Sequence, residues 1–240
     1  MGIDSLLADH RSLTAERRRD AMRMRLIKAA ISVFATHGRA GVVIADVIKV
    51  AGVSRGTFYN YYRTTEEILA DACHELSEEV VISALEATEG TPDMVTQFAA
   101  CLHHVLATAD AYPVLAHFVG TLGLGPNAPQ FQVDKLLSAC LAEGHAAGEF
   151  DIIDPEASAD TIAGATIYAI SRAGRGPQYR CAVVSGLLRG VGIPVSRADA
   201  LSHAIPPPVV LPPDALLSVA QSHADATRPA TTCNNETRND

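Results

Sequence analysis

The spacing of apolar residues limits the fold of this chain more than any other feature of its sequence. Apolar side chains recur every three or four residues along most of the chain, as in residues 16–37, where Met22, Leu26, Val33 and Phe34 share one helical face. No segment alternates apolar and polar residues for long enough to indicate a strand. We therefore predict an all-α fold.

Capping residues, prolines and glycines mark where these helices begin and end. Thr91-Pro92-Asp93 and Asp154-Pro155-Glu156 each give a cap, a proline at the first helical position and an acid in the first turn. Gly38 and Gly52 can take the left-handed conformation that ends a helix. The predicted helices span residues 16–37, 44–51, 54–61, 65–87, 91–108, 112–122, 129–147, 155–172, 177–190 and 197–204.

Changes in composition divide the chain into four parts. Residues 1–15 show no steady period and are predicted to form a flexible arm. Residues 16–65 form a small head, and residues 66–205 form a larger helical body. Five prolines and then a polar stretch follow, so residues 206–240 are predicted to be a largely disordered tail in which residues 214–222 could form a short helix.

Neither a membrane span nor a disulfide framework is expected. No apolar run reaches the roughly 18–20 residues that cross a bilayer. The first ten residues lack the features of a signal peptide, so we expect a cytoplasmic protein. The five cysteines are odd in number and form no C-x-x-C pair, which favours reduced thiols.

Charge is distributed unevenly between the two ends of the sequence. Residues 1–65 contain eleven Arg and Lys against five Asp and Glu, a net charge of +6. The other 175 residues contain eight basic against 22 acidic side chains, a net charge of −14. This asymmetry predicts a head that binds a polyanion and a body that stays away from it.

The segment from Asp46 to Tyr62 predicts two short helices joined by a sharp turn at Gly52. Ala51 is small enough for close helix contact, and Phe58 can pack against the first helix. This is the pattern of a helix-turn-helix, whose second helix enters the major groove of DNA. The residues left to face outward are Arg55, Gly56, Thr57, Tyr59, Asn60 and Tyr61. Ser54, whose hydroxyl can cap the second helix, is also a candidate DNA contact.

These residue types suit contact with a DNA duplex. Arginine pairs with guanine, asparagine pairs with adenine, and the threonine methyl group contacts thymine. Hydroxyl groups more often bind phosphates, which fix register without reading sequence. Further candidates for backbone contact are Arg63, Thr65 and the first-helix arginines, namely Arg17, Arg18 and Arg19, with Arg23 and Arg25 in the same run. Alternatively, those arginines form a solvated charged face and do not contact DNA.

Residues 38–69 resemble the DNA-binding head of the TetR family of bacterial regulators. The family pattern is matched without a gap by Asp46-Val47-Ile48, Ala51-Gly52-Val53-Ser54, Gly56-Thr57-Phe58-Tyr59, Tyr61-Tyr62 and Glu66-Glu67-Ile68-Leu69. The resemblance implies a three-helix head on a helical effector-binding and dimerisation domain. It also implies a double-stranded DNA operator and a homodimer formed by the helices at about 155–172 and 177–190.

The same resemblance places a small-molecule pocket among the middle helices, at roughly residues 91–172. Polar and aromatic side chains in that region are candidates for its lining. They are His103, His104, Tyr112, His117, Phe118, Phe131 and Tyr168.

Two positions depart from the family pattern. Val43 stands where a Ser or Thr usually caps the first helix of the motif, and loss of such a cap costs about 0.5–2 kcal/mol. Thr65 stands where a lysine usually binds a phosphate. The lost ionic contact should lower the salt slope of DNA binding by about 0.9.

No catalytic or metal-binding motif stands out, and we predict neither enzymatic activity nor a cofactor. The adjacent residues His103 and His104 point about 100° apart on a helix, which makes a poor ligand pair. The favoured function is a transcriptional repressor released by a small molecule. One alternative is a DNA-binding regulator without an effector, and another is a helical enzyme that carries a decayed head.

Overall fold

The computed structural model describes residues 3–38, 41–122, 132–208 and 210–227. These residues form eleven helices and contain no strand, so the predicted all-α fold is confirmed. The helices are α1 (Ile3–His37), α2 (Ile44–Ala51), α3 (Arg55–Tyr59), α4 (Thr65–Ala87), α5 (Met94–Ala111), α6 (Pro113–Leu122), α7 (Gln132–Ala146), α8 (Pro155–Ser171), α9 (Pro177–Gly190), α10 (Val195–His203) and α11 (Leu216–Thr227). None of them is both long and apolar enough to cross a membrane.

The first helix starts earlier than the apolar pattern predicted. Residues 3–15 were expected to be an arm, but α1 begins at Ile3 and runs for 35 residues. A helix that is already nucleated gains one backbone hydrogen bond for each added residue, and it needs no apolar face to continue. The lack of an apolar period in residues 3–15 therefore did not exclude a helix there.

The head is built around the buried face of α1. Leu26, Ile27 and Phe34 are fully buried, and α1 packs against both α2 and α4. Phe58 of α3 is buried in the same core and has no exposed surface. Fully burying an aromatic or aliphatic side chain of this size stabilises the fold by about 1.5–3 kcal/mol, so α3 is held chiefly by this one residue.

Helices α4 to α8 form the body around a cavity, and carboxylates cap two of them. The Asp154 side chain accepts a hydrogen bond from the Ala157 N–H at 2.7 Å, as the Asp-Pro-Glu pattern predicted. Helix α5 begins later than predicted, at Met94, and its cap is Asp93, which accepts from the Thr96 N–H at 2.9 Å. Thr91 and Pro92 precede the helix and are not helical.

The proline-rich tail is not largely disordered over the residues that the structure describes. Leu211, between the prolines, is buried, and α11 packs against α1, α4 and α6 with Leu217 and Ala220 fully buried. The prolines prevent a helix only where they stand. Residues 228–240 lie outside the described residues.

Side chains of the body hold both the start and the middle of α11. The Glu79 carboxylate of α4 accepts hydrogen bonds from the N–H groups of Leu216 (2.7 Å) and Leu217 (3.0 Å). In return, Gln221 of α11 accepts a hydrogen bond from the Val114 N–H at the start of α6. A carboxylate at a helix N-terminus is favoured by the helix dipole as well as by the hydrogen bonds.

The substitution Glu79→Gln is expected to loosen α11 by about 1–2 kcal/mol, because the amide loses both the charge and one of two acceptors. Faster hydrogen exchange over residues 216–227 would measure this loosening. Glu86→Gln, an exposed change on the same helix, should leave that exchange unchanged. Unaltered protection of α11 in Glu79→Gln would contradict the capping role.

Candidate nucleic-acid interface and ligand cavity

The turn between α2 and α3 depends on the backbone of Gly52. Its φ of 61° and ψ of 42° lie in the left-handed region, where a side chain is strained. A Cβ at this position would also lie 3.0 Å from Nη2 of Arg25, which donates a hydrogen bond to the Gly52 carbonyl at 3.4 Å. Gly52 thus lets the chain reverse close to α1.

Ser54 fixes the start of α3. Its hydroxyl accepts a hydrogen bond from the Thr57 N–H at 3.0 Å, as predicted for a cap, and it lies 2.8 Å from the Thr57 hydroxyl. Helix α3 is shorter than the predicted 54–61 and ends at Tyr59. At the start of α2, Val43 makes no side-chain cap, which confirms the predicted departure.

Six of the twelve predicted DNA contacts lie on α3 or at its two ends. Tyr59 is 46% exposed, and the guanidinium carbon of Arg55 lies 5.9 Å from the centroid of its ring. Gly56 and Asn60 are exposed as well, and Thr57 is half-buried. Arg55, Tyr59 and Asn60 therefore form one exposed surface on a helix that Phe58 anchors from behind.

The structure places the remaining candidates differently. Tyr61 was predicted to face outward, but it is half-buried and packs against the core, because α3 has ended and the chain turns toward α4. Arg63 is exposed, and its backbone N–H donates to Glu67 at 2.6 Å. Thr65 is half-buried and donates to Glu66 at 3.2 Å. Arg17, Arg18 and Arg19 are exposed on α1.

A polar cluster that joins the head to α4 was not found from the sequence. Arg23 donates to both carboxylate oxygens of Asp71, at 2.9 Å and 2.5 Å, and to Glu75 at 2.7 Å. The Tyr62 hydroxyl also donates to Asp71. Asp71 and Glu75 are four residues apart on α4, and this spacing was the one signal available.

The surroundings of the cluster raise the pKa of two of its members. Burial, followed by the hydrogen bond to Asp71, raises the pKa of Tyr62, so this hydroxyl stays protonated. The hydrogen bond to Asp71 raises the pKa of the Arg23 guanidinium. Arg23, which the sequence placed in a run of possible DNA contacts, is instead occupied within the protein.

A cavity of about 200 Å³ lies inside the body, between α4, α5, α6, α7 and α8. Most of its wall is aliphatic or aromatic, and Leu136 on α7 is 48% exposed. The lining side chains are Ser77, Val80, Val81, Leu85, Met94, Gln97, Phe98, Cys101, Leu102, Val105, Leu115, Val119, Leu136, Leu137, Cys140, Ile162, Ala163, Thr166, Ile167 and Ile170.

Comparison with known proteins agrees with this geometry at the head. Residues 26–72 match the family model described as bacterial regulatory proteins, tetR family. The head is thus similar to the DNA-binding domain of that family. Among curated proteins, an uncharacterised HTH-type transcriptional regulator, YerO of Bacillus subtilis (strain 168), is 37% identical over 49 residues. That match spans 20% of this chain and 17% of YerO.

Solved structures resemble this chain over most of its length. RolR in complex with resorcinol has a TM-score of 0.69 and 24% identity, and the match covers 81% of this chain and all of RolR. RolR without ligand has a TM-score of 0.67 and 25% identity over 77% of this chain and 98% of RolR. FadR from Bacillus subtilis in complex with stearoyl-CoA has a TM-score of 0.56 and 20% identity over 70% of this chain and 97% of FadR. The body therefore shares the fold of such regulators.

The polar and aromatic residues predicted for a TetR-type pocket, as far as the structure describes them, do not line this cavity. His103 and His104 are buried on other faces of α5, where burial lowers the pKa of both rings. Phe118 is fully buried, with its ring centroid 3.7 Å from that of Phe34, and His117 is exposed beside the same ring.

Two more of the predicted pocket residues also lie elsewhere. Tyr112 is the half-buried residue that ends α5, and Tyr168 is 56% exposed on α8. Phe131 lies outside the described residues. Residue type alone did not show which face of α5 lines the cavity, because α5 is buried on several sides.

The substitution Tyr62→Phe is expected to lower the free energy of unfolding by about 1–2 kcal/mol, because Asp71 loses one of its donors. Urea denaturation measures this change. Tyr59→Phe makes the same chemical change at an exposed ring and should alter stability by less than about 0.5 kcal/mol. Equal stability of Tyr62→Phe and wild type would show that this hydroxyl does not hold the head.

Proposed function

We propose that this chain is a transcriptional repressor that binds operator DNA as a homodimer and is released by a small molecule. The observation that carries the proposal is the exposed surface of Arg55, Tyr59 and Asn60 on α3. It follows a glycine turn, and residues 1–65, which contain the head, have a net charge of +6. A second helix with such a surface reads base edges in the major groove. This role places the protein in the bacterial cytoplasm.

We assign dimerisation to the outer faces of α8 and α9. Tyr168 is exposed on α8, and a Cβ added at Gly164, Gly186 or Gly190 would meet no atom within 4 Å. Such open, small positions would allow two helix pairs to approach closely. Two identical subunits would then present two copies of α3 to half-sites separated by one helical turn of DNA or more.

Helix α4 connects the cavity, the proposed effector site, to the head that is proposed to bind DNA. The same helix provides Asp71 and Glu75 to the head cluster and Val80, Val81 and Leu85 to the cavity wall. A ligand that favours one position of α4 would thereby favour one position of the head. The release of DNA requires that the ligand bind the two positions with different affinity.

Solved relatives support the assignment of the effector to this cavity. RolR has been solved with resorcinol and FadR with stearoyl-CoA, and both share the fold of this body. These ligands belong to those proteins. For this chain we propose only that the corresponding helical domain binds an organic molecule.

Selection of bound sequences from random duplex DNA tests the proposal. Wild-type protein should enrich a palindrome, and Arg55→Ala or Asn60→Ala should relax base preference at defined positions, at a cost of about 1–3 kcal/mol for each bidentate contact. Lys135→Ala removes an exposed charge from α7 in the body and should change neither affinity nor preference. Unchanged preference in both head variants would contradict the assignment of α3.

Restoring a lysine at position 65 should strengthen DNA binding. Thr65→Lys places a cation beside the start of α4 and should steepen the salt dependence of the binding constant by about 0.9. Ala142→Lys adds the same charge at an exposed position of α7 and serves as the control. Fluorescence anisotropy at several salt concentrations measures both slopes. Equal slopes would show that residue 65 does not face a phosphate.

A further inference from the structure

One hydroxyl group at the wall of the cavity has no partner among the residues that the structure describes. Thr166 lines the cavity from α8, and its Oγ1 is buried and makes no hydrogen bond with any of those residues. A buried hydroxyl without a partner costs about 1–3 kcal/mol. Such a group is explained where a ligand supplies the missing bond.

Other threonines in these helices avoid that cost. Thr108 donates to the His104 carbonyl at 2.8 Å, and Thr161 donates to the Ala157 carbonyl at 2.9 Å, each bonding four residues back along its own helix. This is the ordinary solution for a helical threonine. Thr166 departs from it although it lies on the same helix as Thr161.

The rest of the lining presents no charge. Among the described residues that line the cavity, none is Asp, Glu, Lys, Arg or His. The two thiols, Cys101 and Cys140, have pKa values raised by burial, so they stay protonated at neutral pH. A charged group brought into such a site would lose its hydration without a counterion, which costs far more than one hydrogen bond returns.

The volume limits the size of the occupant. A dry apolar cavity of about 150 Å³ in another protein takes benzene. About 200 Å³ would therefore take an aromatic ring with a few additional carbons.

We infer that this cavity binds an uncharged, largely hydrocarbon molecule of about that size, whose single polar group is hydrogen-bonded by the Thr166 hydroxyl. This inference rests on the proposed function only in calling the molecule an effector. Ser77 and Gln97 are the other polar side chains at the wall, apart from the thiols. The polar group would be a hydroxyl, a carbonyl or an ether oxygen.

Calorimetric titration of the full-length protein, without DNA, tests the ligand class with three probes of one skeleton. The probes are 4-propylphenol, propylbenzene and 4-propylbenzoate. We expect 4-propylphenol to bind about three- to tenfold more tightly than propylbenzene, which matches one net hydrogen bond. The benzoate should bind least. If the benzoate binds best, or if neither neutral probe binds, the ligand class is wrong.

Variants then test the anchor. Thr166→Val removes the hydroxyl with little change of shape and should abolish the preference for the phenol, whereas Thr166→Ser should keep most of it. Thr108→Val removes a buried hydroxyl that is bonded within its own helix, outside the cavity wall, and should keep the preference. A preference that survives in Thr166→Val overturns the assignment. If Thr166→Val does not fold, loss of the preference in Thr166→Ser would overturn it instead.

The same probes separate this inference from the proposed function. Release of the selected operator by 4-propylphenol would support both. Binding that depends on Thr166 without any release of DNA would contradict the effector role and leave the ligand site established.

Discussion

The carboxylate of Asp71 determines how the head is held on the body. It accepts two hydrogen bonds from Arg23 of α1 and one from Tyr62, which lies just beyond α3. Two separate parts of the head therefore meet at one charge on α4. Removing one member of a partly buried cluster leaves the others desolvated without a partner, so the arrangement resists small rotations of the head.

Helix α4 places this cluster near the cavity. Asp71 and Val80 are nine residues apart, which corresponds to about 14 Å along a helix axis. Glu79, between them, caps α11, and α11 in turn packs on α1 and binds the start of α6. The head is thus connected to the cavity wall both by α4 itself and through the last helix, and this double connection is a property of the tertiary structure.

Features of the helix-turn-helix were predictable because their causes are local. Gly52 adopts a left-handed conformation, Ser54 caps the helix that follows it, and Phe58 points inward, and each of these depends on neighbours within a few residues. The cavity lining was not predictable in the same way. His103 and His104 were predicted to line the pocket. A helix that is buried on several sides, however, has no apolar period that indicates which side faces a cavity.

The sequence by itself determined the helical class, the recognition segment and the separation of a basic head from an acidic body, because periodicity, capping and charge are properties of neighbouring residues. Only the tertiary structure decided that Arg23 binds Asp71, 48 residues away, and that α11 docks on α1. It also decided that the Thr166 hydroxyl faces the cavity with no partner among the described residues. These outcomes depend on which helix faces meet, and many packings are compatible with the same local pattern.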